Sequence, residues 1–197
     1  MLKSALPIAL LALASSCIAQ LKVNPQLGVV FTDLTEDLPG VESKADVGLQ
    51  LGLDLRIGDR FYFQPGGHIG RSATTVKYTF TDTTVIEDDL IRTTVKFKAL
   101  VGYDLIHRSI FKLRVNAGPT YEALLSVDSK DDDIAFNRDD YNAGSFNMDA
   151  GAGLDLAMMS AEAGISYGLS RAYKDAGELE GKAKYFTFYI TLGIVIG

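Results

Sequence analysis

The stretch Asp46-Val47-Gly48-Leu49-Gln50-Leu51-Gly52-Leu53-Asp54-Leu55-Arg56-Ile57 decides the fold. Every second residue from Val47 is aliphatic, and the residues between are charged, amide or glycine. Successive side chains point to opposite faces of an extended chain, whereas a helix would scatter this alternation around its circumference. The stretch is therefore a strand with one apolar and one polar face. Its length matches the about 9–11 residues that a tilted strand needs to cross a bilayer, so the solvent met by the apolar face is the first question.

The 197 residues suit one domain. The first nineteen read as a secretory signal peptide: Lys3, an apolar run over 5–14, and Cys17, Ile18, Ala19 as a small-x-small cleavage pattern before Gln20. The alternative at this end is a lipoprotein signal with lipidation of Cys17. The expected division is a signal peptide over 1–19 and one β domain over 20–197. Cys17 is the single cysteine, so the exported domain has no disulfide framework and depends on its architecture for stability. No later run reaches the roughly 18 apolar residues of a membrane helix. A formal charge of −6 argues against a nucleic-acid partner, which requires a basic stripe.

The same alternation recurs along the chain, over 21–32, 46–57, 61–70, 92–104, 111–122, 146–158, 162–169 and 185–196. Tight turns are expected at Gly58–Arg60, near 106–109 and at Met159 and Ser160. Polar segments over 33–44, 126–142 and 171–182 read as longer connections, and 74–90 reads as an outer extension of the third strand followed by a loop. Eight strands joined alternately by long and short links predict an antiparallel up-and-down sheet, and the even count lets it close without an edge.

Two barrels fit. A soluble lipocalin-like barrel turns its apolar rows inward around an apolar ligand, and a transmembrane barrel turns them outward to lipid. The apolar rows are long and unbroken, and glycine concentrates on the polar rows. Aromatic residues such as Phe31, Phe61, Tyr103, Phe111, Tyr121 and Phe146 stand near strand ends, and the links alternate in length. Together these features favour the transmembrane barrel. Its lumen would then contain Asp46, Asp54, Arg56, Arg92, Lys96, Lys98, Lys112, Arg114, Glu122, Asp149, Asp155 and Glu162. Acids and bases nearly balance, which predicts a salt-bridged, filled interior over an ion-selective path.

With these strands laid out, the chain resembles the small PorT-like outer-membrane β-barrel family of Bacteroidota. The resemblance rests on Ala19 and Gln20, on 25–28 in the first strand, and on Asn116, Ala117, Gly118, Pro119, Thr120, Tyr121 in the fifth. It also rests on Gly151, Ala152, Gly153, Leu154, Asp155 in the sixth and Tyr167, Gly168, Leu169 in the seventh. It implies an eight-stranded barrel in the outer membrane of a Gram-negative bacterium, with outer-membrane lipid around it and the barrel-assembly machinery as a partner during insertion. One departure is the terminal Ile194, Val195, Ile196, Gly197, where such barrels often end in an aromatic residue.

Chemistry-bearing residues are few. His107 reads as a solvated turn residue, and His68 as a lumen residue able to pair with a carboxylate. Ser72 stands four residues from His68 without the spacing of a catalytic triad. No cofactor motif is present. The segments 33–44, 74–90 and 126–142 hold fourteen acids and four bases, a net −10 within a chain of −6. Asp131, Asp132 and Asp133 are calcium-ligand candidates by their oxygen donors, set against the simpler reading of a solvated acidic loop. The expected role is non-enzymatic, structural or in surface interaction with an extracellular or envelope protein. A soluble apolar-ligand carrier and a lipid-modifying barrel enzyme are the alternatives.

Overall fold

Alternation of Leu, Val, Ile, Phe and Tyr with Gly, Thr, Asn and charged residues leaves no helical stripe to bury, so the chain pairs as strands. The computed structural model describes residues 21–35, 41–81, 84–129, 138, 141–171 and 184–197. Its β segments are β1 (Leu21–Leu34), β2 (Val41–Ala45), β3 (Val47–Gly58), β4 (Phe61–Thr81), β5 (Thr84–His107), β6 (Phe111–Ser129), β7 (Gly144–Leu156), β8 (Met159–Gly168) and β9 (Tyr185–Ile194). β2 and β3 are two halves of one barrel strand, because both pair with β4. Neighbours in the chain pair antiparallel from β3 through β9, and β1 joins β3 to β9. The eight positions close into an all-β, antiparallel up-and-down barrel, and the ring has no free edge.

The pleat sorts the side chains as the alternation requires. Leu27, Leu49, Leu51, Phe61, Ile69, Phe97, Phe146 and Leu192 are exposed on the outer wall, while Asn24, Asp54, Gln64, Leu100, Arg114 and Asp149 are buried within. Apolar rows therefore face out, the reverse of a lipocalin-like carrier. Aromatic contacts mark both ends of the outer belt: the Arg60 guanidinium lies over Tyr103 at one end, and Tyr121 stacks near Phe146 with centroids 5.0 Å apart at the other.

Several connections differ in extent from the sequence reading. The outer extension expected within 74–90 takes up most of that segment, because β4 runs to Thr81, β5 starts at Thr84, and the pairing continues from Ala73 facing Ile91 to Thr81 facing Thr84. Threonine, valine and isoleucine favour that extended pairing although no apolar row marks it. Likewise β2 occupies part of 33–44, and β6 reaches Ser129 within 126–142. The last short turn is Ala157–Met158, one hairpin step before Met159, since Leu156 faces Met159 directly. Ala157 takes a left-handed φ of 54°, as a two-residue hairpin turn demands. The signal-peptide reading and the calcium candidates Asp131, Asp132 and Asp133 lie outside the described residues.

Candidate functional site

The interior is where this chain concentrates its chemistry. Cross-strand register explains its arrangement. Asp54 on β3 faces Gly66 on β4, which faces Lys98 on β5. The glycine between them has no side chain, so the Lys98 ammonium reaches over it to Asp54 Oδ2 at 2.8 Å. Arg114 on β6 faces Gly153 on β7, which faces Glu162 on β8, and the Arg114 guanidinium donates to Glu162 across that second glycine. Each row is an acid and a base separated by one glycine strand.

Around these rows the charges form layers. Asp54, with no exposed surface, accepts hydrogen bonds from Gln26 Nε2 at 3.0 Å and Gln64 Nε2 at 2.7 Å, with His68 Nε2 at 2.8 Å. Arg114 and Arg56 share Asp155, at 3.3 and 2.6 Å, and both donate to Ser160 Oγ at 3.0 Å. Asn116 Nδ2 donates to Glu162 at 3.0 Å. Toward the end with long connections, Arg92 donates to Glu122 at 3.3 Å, and Lys96 lies 3.6 Å from Glu122 and 3.7 Å from Asp149. Thr120 Oγ1 donates to Asp149 at 3.0 Å. At the short-turn end Lys112 stands 3.9 Å from Asp104. An ion withdrawn from water is tolerated when paired and hydrogen-bonded, and these carboxylates meet that condition.

Of the twelve residues the sequence assigned to the lumen, eleven line this interior and one does not. Asp46 sits between β2 and β3, where Asp46, Val47 and Gly48 oppose only Ser72 and Ala73, since Ala45 faces Thr74 and Leu49 faces Arg71. The extra residue is a β-bulge, which breaks the parity on which the inward assignment rested. The Asp46 carboxylate accepts from Val47 N at 2.7 Å and lies apart from the network. His107 also differs: it closes β5 tied to carboxylates rather than merely solvated, with Nδ1 2.8 Å from Asp104 Oδ2 and Nε2 3.3 Å from Asp59 Oδ1. Gln26, Gln64, Asn116 and Asp104 were missed although they stand on the polar rows, and Ser160 was missed because it was read as part of the turn that in fact ends at Met158. The selection had followed charge on those rows and passed over amides and one acid. Among the described residues no group of three or more His, Cys, Asp or Glu is placed to hold a metal ion.

Two cavities flank the buried middle. One, of about 30 Å³, opens among Gln50, His68, Thr94, Lys96 and Glu122; the other, of about 10 Å³, lies among Lys22, Arg56, Tyr62, Asp104 and Lys112.

No family model and no curated protein matches the chain. Its similarities are to solved bacterial barrels. The outer membrane protein OprG from Pseudomonas aeruginosa is 13% identical with a TM-score of 0.52, over 89% of this chain and 95% of that one. Ail, the attachment invasion locus protein of Yersinia pestis, is 13% identical over 89% and 98%, with a TM-score of 0.45. Neisserial surface protein A is 12% identical over 88% and 96%, with a TM-score of 0.49. At these identities the likeness speaks for the fold alone, and OprG is the match that bears on it. The fold is that of a transmembrane eight-strand barrel.

Proposed function

We propose that this chain is a small, non-enzymatic barrel of a Gram-negative outer membrane, akin to the PorT-like barrels of Bacteroidota, closed inside and presenting acidic long connections as its working surface. The observation that carries the reading is the sorting of side chains. An outer belt of Leu, Val, Ile and Phe encloses a middle layer in which Asp54, Arg114 and Asp149 are at most 1% exposed. A belt of that kind is costly in water and favourable in hydrocarbon, and the paired, buried charges support a closed interior. Both histidines face carboxylates, His68 toward Asp54 and His107 toward Asp104. Lipid is the partner of the belt, and the barrel-assembly machinery its partner during insertion. The acidic connections suit a basic or cation-bridged envelope or extracellular protein.

Fractionation with boiled and unboiled gels tests the location. An outer-membrane fraction with a heat-dependent shift is expected; a soluble periplasmic protein without one would overturn it. Planar-bilayer recording in concentrated KCl tests the closed interior. Steady, reproducible single-channel steps would show that ions pass.

A further inference from the structure

The β-bulge at Asp46 opens a groove on the outer wall. About 240 Å³ in volume, it is lined among others by Asp46, Val47, Leu49, Arg71, Asp89 and Ile91, where β3, β4 and β5 run side by side. Val47, Leu49 and Ile91 make the lining partly apolar, and three charged residues stand around them. Asp46 Oδ1 accepts from Val47 N at 2.7 Å, and Asp89 Oδ1 accepts from Thr75 Oγ1 at 2.8 Å. Arg71 is exposed, and among the described residues it has no hydrogen-bond or ion-pair partner, although both carboxylates share its groove.

Register gives the height of the groove on the wall. Paired residues followed from Arg71 through Leu49 and Val29 go once round the barrel and come back to β4 through Tyr103 at Phe61. That offset of ten residues, from Phe61 to Arg71, is the stagger of the tilted strands. A level ring therefore gains roughly 1.25 residues on the paired row at each of the strands. On such a ring Arg71 stands near the level of Phe31, Phe186, Phe146 and Tyr121, the aromatic edge of the belt on the side of the long connections. This is headgroup depth, with the apolar belt next to it.

A lone guanidinium at that depth attracts any anionic lipid, but two carboxylates beside it disfavour a headgroup that is only negative. A headgroup carrying both signs suits all three residues. We propose that the groove binds a lipid with a phosphoethanolamine headgroup, Arg71 donating to the phosphate oxygens and the primary ammonium donating to Asp46 and Asp89, with an acyl chain along Leu49. The guanidinium fork matches phosphate bidentately, and a primary ammonium has three donors for carboxylates, which the quaternary ammonium of choline lacks. The site rests on the belt facing lipid and not on which end of the barrel faces out.

The test uses the full chain refolded into phosphatidylcholine nanodiscs that hold small, equal fractions of phosphatidylethanolamine and phosphatidylglycerol, with every fold checked by the heat-dependent gel shift. Native mass spectrometry of the released barrel reads which lipid stays bound. Phosphatidylethanolamine is expected to be retained over both others, and Arg71→Gln to lower its retention about tenfold. Asp46→Asn keeps the Oδ1 acceptor for Val47 N, and is expected to lower retention of phosphatidylethanolamine while raising that of phosphatidylglycerol. Arg108→Gln, in the turn before β6, is expected to change neither. If Arg71→Gln does not refold, Arg71→Lys takes its place with a smaller loss, because an ammonium cannot reproduce the fork. Equal retention of phosphatidylethanolamine and phosphatidylcholine, preference for phosphatidylglycerol in the unaltered chain, retention that survives Arg71→Gln, or an equal loss in Arg108→Gln overturns the proposal and leaves the barrel standing. A chain that does not enter the nanodisc overturns the lipid-facing belt and this site together.

Discussion

Asp54 and Leu53 are adjacent in sequence and belong to different solvents. Leu53 is 45% exposed on the outer wall, while Asp54 is sealed among Gln26, Gln64, His68 and Lys98. Asp54→Asn leaves the Lys98 ammonium buried without a counter-charge, and removing one partner of such a pair costs about 3–5 kcal/mol. Leu53→Arg puts a charge against lipid, at about 2–4 kcal/mol near the bilayer midplane. Because those ranges overlap, the informative measurement is a double-mutant cycle by urea unfolding in vesicles. Lys98→Met is expected to recover much of the loss in Asp54→Asn and none of the loss in Leu53→Arg. Additive behaviour in both would mean that Asp54 and Lys98 are not a pair.

At the scale of the strand, parity was legible and extent was not. A one-residue slip moves every side chain to the other face, so the alternation from Val47 to Ile57 sorted the residues into two faces, while the glycine-rich polar rows, the aromatic ends and the alternating links chose which face is outer. Beyond the belt the two faces meet the same water, and the ladder of β4 and β5 to Thr81 and Thr84 carries no apolar row to announce it. Asp46 was misread because a bulge changes parity without leaving a mark in the pattern. Pairing was hidden too. From the sequence Lys96 or Arg114 is as good a partner for Asp54 as Lys98, and only the register that puts Gly66 between them selects Lys98. That dependence on glycine is testable. A Cβ at Gly153 would run into the Arg114 guanidinium, whereas one at Gly67, on the outer wall, would meet nothing within 4 Å. Gly153→Ala is expected to cost about 1–3 kcal/mol of refolding stability by overpacking, with Gly67→Ala near neutral. A separate strain sits in the β7–β8 turn, where an alanine holds φ at 54°. Ala157→Gly is expected to raise stability by about 1 kcal/mol, because glycine adopts that conformation without steric cost. No gain in the unfolding midpoint would mean that the turn relaxes by another route.

For the whole molecule the open physical question is which end faces out. The short-turn end has links as brief as Ala157–Met158, and it gathers Lys22, Arg60, Arg108 and Lys112. The other end carries the segments over 33–44, 74–90 and 126–142, partly strand and partly connection, which together hold a net −10. Outer-membrane barrels place short turns in the periplasm and long loops outside, and a highly charged acidic loop is readily solvated there. Orientation can be read by labelling, since Cys17 is the one cysteine and a Cys17→Ser background removes it. Asp128→Cys, exposed near the end of β6, is expected to react with an impermeant maleimide in intact cells. Met158→Cys, 65% exposed in the opposite turn, is expected to react only after the outer membrane is permeabilised. The reverse pattern would place the acidic connections in the periplasm, and their partner would then be sought inside the envelope.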